Sequence, residues 1–241
     1  MPRSERVTAP IETARSHLDE EITQLQAEQQ AFERFAERVA ALTVQPPQSS
    51  THPAVTPIAE TSAAATTHDV WTVYQETVMT LAHYDDVYDE LLTASLAQEF
   101  GMNIATALGE ETPLTASLQQ RVYTAATQAA AERTAVLEGL ADERSALETA
   151  QETLATLAQQ VAAHTDEAAP SDETATEASS LEALATRCEQ LATDRQRQLQ
   201  TRSLSPHIDG HDTATYLYQD TDWTYPVLAA VARLSDQLPT T

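Results

Sequence analysis

The chain has 241 residues and sets 37 acidic side chains against 13 basic ones, a net charge of −24. Such a charge repels phosphate backbones and anionic headgroups, which excludes nucleic acid and membrane surfaces as expected partners. No apolar run approaches the roughly 20 residues of a membrane span.

All 13 basic residues are arginine, and there are only 4 glycines. Alternating β-branched runs are absent, while alanine, glutamate, glutamine and leucine abound, so the composition is all-helical. So much negative charge fits either a disordered chain or a folded one adapted to a very salty cytoplasm. In 1 M salt, charges are screened over about 3 Å instead of about 10 Å at 0.1 M. Long apolar heptads favour the folded reading outside two linkers. Cys188 is the only cysteine, so no internal disulfide forms, as suits a reducing cytosol. The first twelve residues carry two arginines with no apolar stretch behind them, unlike a signal peptide. A cytoplasmic protein is expected.

In chain order, a first helix is predicted over 9–42, with Thr8 as cap and Pro10 in its first turn. Ile11, Leu18, Leu25, Phe32 and Val39 recur every seven residues, aliphatic at the start and aromatic near the end. Residues 44–67 hold Pro46, Pro47, Pro53 and Pro57 and read as a linker. Shorter helices follow from Asp69, over about 85–100, and over 102–108, the last two ending at Gly101 and Gly109.

Residues 113–164 read as one rod about 75 Å long at ~1.5 Å per residue, with Thr112 as cap and Pro113 opening it. In its first half the seam runs through Leu118, Val122, Ala125, Ala129, Glu132 and Val136. Leu140, Leu147, Leu154 and Val161 carry the second. Two consecutive steps of four, Glu132 to Val136 to Leu140, form a stutter around Gly139. Residues 165–179 form an acidic linker, and Ser179 with Glu182 offers a capping box for a helix over 180–202. That helix presents Leu181, Leu184, Cys188, Leu191 and Leu199. Residues 204–238 supply two further short helices, with Pro226 opening the second.

Three of these helices carry seven-residue seams that none can bury alone. The expected fold is therefore all-α: an elongated antiparallel three-helix coiled-coil stalk (9–42, 139–164 and 180–202) with a small helical head. The head would draw on 68–138 and 204–238 and gather Trp71, Tyr74, Tyr84, Tyr88, Phe100, Tyr123, Tyr216, Trp223 and Tyr225.

Several stretches resemble an uncharacterised family of haloarchaeal helical coiled-coil proteins. They are Glu76-Thr-Val-Met with His83-Tyr84 and Tyr88; Arg187-Cys-Glu with Asp194-Arg-Gln; and Tyr216-Leu-Tyr leading to Tyr225-Pro-Val-Leu-Ala-Ala-Val-Ala-Arg-Leu. The resemblance spans nearly the whole chain and implies a salt-adapted archaeal cytoplasm. It implies no activity and transfers no functional residue.

No phosphate loop, nucleophile elbow, Cys-x-x-Cys or His-Glu-x-x-His occurs. Two imidazole–carboxylate clusters have spacings that could hold zinc: His83 with Asp85, Asp86 and Asp89, and His207 with Asp209, His211 and Asp212. In so acidic a chain Asp beside His is ordinary, and Asp near a turn caps a helix, so no metal or cofactor is assigned. Arg187, Arg195, Arg197 and Arg202 crowd one helix end, where cations complement the dipole. Arg187, Arg195 and Arg202 are the residues to watch as a partner-binding patch.

The expected function is a non-catalytic interaction or scaffold protein that binds another protein or itself. The alternative is a ligand- or metal-sensing protein with a site in the aromatic head built from His83, Asp86, His207 and His211. Helical circular dichroism should rise as KCl goes from about 0.1 M to several molar, because screening relieves self-repulsion. Unchanged helicity would remove the salt-adapted reading.

Overall fold

The computed structural model describes residues 3–44, 64–81, 92–166, 174–201 and 210–238. Its elements are α1 (Arg3–Ala40), α2 (Thr67–Thr77), α3 (Leu92–Phe100), α4 (Met102–Gly109), α5 (Ala116–Asp166), α6 (Thr174–Thr201), α7 (Gly210–Tyr218) and α8 (Pro226–Ser235). The fold is all-helical. No described helix is long and apolar enough to cross a membrane. The chain divides into two compact units, Met1–Ile22 with Ala135–Thr241, and Thr23–Thr134, so α1 and α5 contribute to both.

The unit Thr23–Thr134 is built on an aromatic core. Phe35 stacks on Phe100 at 5.6 Å, and Tyr74 meets both edge-on at 5.2 and 5.8 Å. Each such pair contributes about 0.5–1.5 kcal/mol beyond its buried area. The Tyr74 hydroxyl lies 3.0 Å from the Ser95 hydroxyl, and Trp71 Nε1 donates to the Leu108 carbonyl at 2.6 Å. Polar tips are thereby satisfied while the rings fill the interior. The last residues of the proline-rich segment are tied down, with Ala65 donating to the Thr43 carbonyl and Leu114 donating to that of Ala65, both at 2.8 Å.

Thr66 and Asp69 open α2 as a capping box. The Thr66 amide donates to Asp69 Oδ2 at 2.6 Å and its hydroxyl to the same oxygen at 2.9 Å. Together these hold the Asp69 carboxyl below the usual carboxylate range, the backbone bond contributing most. The expectation that Thr112 caps the long helix with Pro113 inside it is corrected. Thr66 and Pro113 form an isolated antiparallel bridge, and α5 starts at Ala116 with the Leu118 amide donating to the Thr115 hydroxyl at 3.2 Å.

In the other unit α1 and α5 run antiparallel. Gln151 donates to Glu12, Arg15 reaches Gln151 and Glu148, and Arg144 pairs with Asp19. One number rises as the other falls. Val7, Ile11, Ala14 and Leu18 of α1 are buried, as are Leu140, Leu147, Leu154, Leu157 and Val161 of α5. At roughly 1.5–3 kcal/mol per large side chain, this burial is the main stabilising contribution. On α6 the buried positions include Leu184, Cys188 and Leu199, and both α7 and α8 pack on that helix.

Two helix starts differ from expectation. Pro10 lies inside α1, which begins at Arg3. Having no amide hydrogen, Pro10 cannot bond the Arg6 carbonyl four residues back, and Arg233 Nη1 of α8 donates to that carbonyl instead, at 3.0 Å. Similarly, α6 begins at Thr174, so Ser179 and Glu182 lie within the helix and not at its cap. Residues 174–179 are helical although they fall in the expected acidic linker.

The aromatic residues expected to gather in a head are distributed over both units. Tyr74 and Phe100 belong to one unit, while Tyr218 and Trp223 belong to the other, where α7 and α8 pack on α6. Tyr123 and Tyr216 are exposed, because counting aromatic residues along a chain does not tell which face of a helix each occupies. Tyr84 and Tyr88 lie outside the described residues.

Gly101 separates α3 from α4 with φ 84° and ψ 153°, a region that side chains with a Cβ rarely enter. A Cβ there would meet nothing within 4 Å. Gly101→Ala should therefore cost about 1–3 kcal/mol through backbone strain alone, read as a lowered thermal midpoint with helix content retained. An unchanged midpoint would show that this turn relaxes freely.

Candidate functional site

Along α5 one stripe of buried or half-buried positions runs Val122, Ala126, Ala129, Arg133, Val136, Leu140, Glu143, Leu147, Ala150, Leu154, Leu157 and Val161, with Ala130 and Ala158 buried beside it. After Val122 and Ala126 the steps alternate three and four without a break. The expected stutter at Glu132–Val136–Leu140 is therefore corrected: Glu132 is exposed and Arg133 holds the seam position. Two charged side chains occupy a stripe that otherwise takes only apolar ones. Each is the centre of a polar cluster that joins three helices.

The first cluster lies in the unit Thr23–Thr134. Arg133 Nε donates to Glu28 Oε2 of α1 at 3.0 Å, and its Nη2 donates to Glu99 Oε1 of α3 at 2.8 Å. The guanidinium also lies 4.5 Å from the Phe32 ring centroid, a geometry that favours a cation over an aromatic face. Burial works against its charge, but the two carboxylates outweigh burial and raise the Arg133 pKa above its ordinary value.

The second cluster lies in the other unit and is more deeply buried. Glu143 and Arg195 are each 4% exposed. Arg195 of α6 donates through Nη1 to Glu143 Oε2 at 3.0 Å and through Nη2 to Oε1 at 2.5 Å, a two-pronged pair. The Tyr218 hydroxyl, at the end of α7, donates to the same Oε1 at 2.8 Å. Both carboxylate oxygens are engaged, and the charge is compensated. Arg195 stands seven residues after Cys188 on the α6 seam, with Leu191 and Leu199 on either side. The Cys188 thiol is buried, and burial pushes its pKa up, which holds it in the unreactive protonated form.

Beside this cluster is a groove of about 290 Å³, lined by Asp142, Thr149, Leu191, Asp194, Gln198 and Val227 among others. Its polar rim is partly consumed, since Asp194 accepts from Arg197 at 2.6 Å.

The residues singled out from the sequence fare differently. Arg195 is interior, which removes it from any surface patch. Arg187 is exposed and donates to Gln160 at 3.1 Å. Arg202 lies outside the described residues, as do His83, Asp86 and His207. The backbone of His211 is in α7, but its side chain also falls outside them. Among the described residues no group of three His, Cys, Asp or Glu side chains could hold a metal. Glu28, Arg133 and Glu143 do not stand out in the sequence as site residues, because a charge ordinarily marks the surface. Their heptad positions carried the signal: each stands where the apolar stripe requires a buried side chain.

A family model described as "Domain of unknown function (DUF7260)" matches residues 9–241. No curated protein and no solved structure matches the chain.

Removing one member of the buried pair takes the counter-charge away from the other. Arg195→Met should cost about 3–5 kcal/mol, measured by thermal or denaturant unfolding in several molar KCl. A loss within about 0.5 kcal/mol, the range of a surface substitution, would mean that Glu143 finds water or another cation.

Proposed function

Given that the chain belongs to the DUF7260 family, a family of unknown function, we propose that it is a non-catalytic helical interaction or scaffold protein of a salt-adapted, haloarchaeal cytoplasm. Its working form is an antiparallel three-helix stalk of α1, the later half of α5 and α6, binding another protein or a second copy of itself.

One observation carries this reading. The buried ionisable groups face each other across helices: Arg195 and Tyr218 engage both oxygens of Glu143, and Arg133 bridges Glu28 to Glu99. Groups tied in this way hold helices in place, which is the work of a scaffold. A general acid or base must instead reach a substrate proton within hydrogen-bond distance. The stepped contacts of α1 with α5, and of α5 with α6 through Arg195–Glu143 and Arg187–Gln160, support the antiparallel stalk. The large acidic excess supports the salty compartment, where surface carboxylates repel each other least.

Light scattering on the full chain at several molar KCl should give a mass above that of one 26.2 kDa chain, or crosslinking in native high-salt extract should retain a defined protein. A lone chain in both experiments overturns the proposal.

A further inference from the structure

We infer that the Glu143–Arg195–Tyr218 cluster is a register key, which selects one packing of α6 and α7 on α5 from several that the apolar seams alone would allow. The seams are repetitive: Leu140, Leu147, Leu154 and Val161 recur every seven residues on α5, opposite Leu184, Cys188, Leu191 and Leu199 on α6. Sliding one helix by a heptad therefore exchanges leucine for leucine or a similar side chain and changes the buried apolar area little. The polar groups respond differently. Among the fully buried positions, Glu143 is the one acidic residue of α5 from Val136 to Val161, and Arg195 is the one basic residue of α6 from Leu184 to Leu199. A seven-residue slip moves them about 10 Å apart at ~1.5 Å per residue, and Arg195 would then stand at the level of Val136 or Ala150 in place of Glu143. The two-pronged geometry and the Tyr218 hydroxyl narrow the choice further, because all three bonds form in one register only. Buried ion pairs are often replaceable by apolar groups without loss of stability, and fixing register is their best-attested use.

The separate Glu28–Arg133–Glu99 cluster applies the same device to α1, α5 and α3 in the other unit. It likewise places one cation in an apolar stripe and satisfies it with carboxylates from two other helices.

The test uses the full chain at high salt carrying Gln160→Cys and Arg187→Cys, two exposed positions on α5 and α6 whose native side chains meet at 3.1 Å. Replacing all three polar groups together (Glu143→Leu, Arg195→Met, Tyr218→Phe) removes the ion pair and its hydroxyl donor at once. The triple variant should keep its helical circular dichroism and unfolding midpoint. The yield of a short bifunctional maleimide crosslink between positions 160 and 187 should fall at least about twofold, because packings slipped by a heptad become populated and carry the two positions about 10 Å further apart. Undiminished crosslinking with helicity kept would show that the apolar seams choose the register by themselves, and would overturn the inference. Lost helicity, or a fallen midpoint accompanying weaker crosslinking, would show that the cluster supplies stability and not selection, and would overturn it too.

Discussion

Everything in this protein depends on how a charge is accommodated inside an apolar stripe. An ion moved out of water loses several kcal/mol of hydration even after the protein relaxes, so a buried glutamate or arginine persists only where its partner is already in place. Glu143 meets Arg195 and Tyr218 under those conditions, and Arg133 meets Glu28 and Glu99. The apolar residues around them supply most of the folding free energy but are nearly interchangeable by heptad. The polar residues contribute little net energy and are not interchangeable. Amount of burial and choice of arrangement are thus carried by different side chains.

The same division explains how a chain with a net charge of −24 folds. Repulsion among surface carboxylates is long-ranged in dilute salt and short-ranged in concentrated salt. The Glu143–Arg195 pair is buried and the Arg133 cluster half-buried, so both are screened less than the surface. Salt therefore tunes the cost of the acidic surface while leaving the internal pairs intact. Using arginine for every cation suits those pairs as well, because a planar guanidinium can address two oxygens at once. The Arg195–Glu143 geometry takes that form.

Much of the fold was legible in the residues. Helix content, the long helix, the break at Gly101, the start of α8 at Pro226 and the heptad positions from Leu140 to Val161 follow from propensity and periodicity. Cap positions were less legible. Thr112 and Pro113 form a good opening by local rules, but Thr66, distant in the chain, pairs with Pro113 and delays α5 to Ala116. Pro10 reads as a helix start because a mid-helix proline leaves a carbonyl unbonded, and only α8 brings Arg233 to it. Local signals fail where a non-local partner satisfies the group that they leave open.

The candidate site was legible only as an anomaly. Arg195 was noticed as one of four clustered arginines and assigned to the surface, and Glu143 passed as one acidic residue among many. Sequence alone determined that the chain is helical, that its helices bear apolar stripes, and that its surface must be strongly acidic, since these follow from composition and from periods of three and four. Tertiary structure decided which charges leave the surface and whom they meet. Those choices depend on contacts between residues as far apart as Glu143 and Tyr218, and the cost of dehydrating a charge is set by what surrounds it, which no single stretch of chain contains.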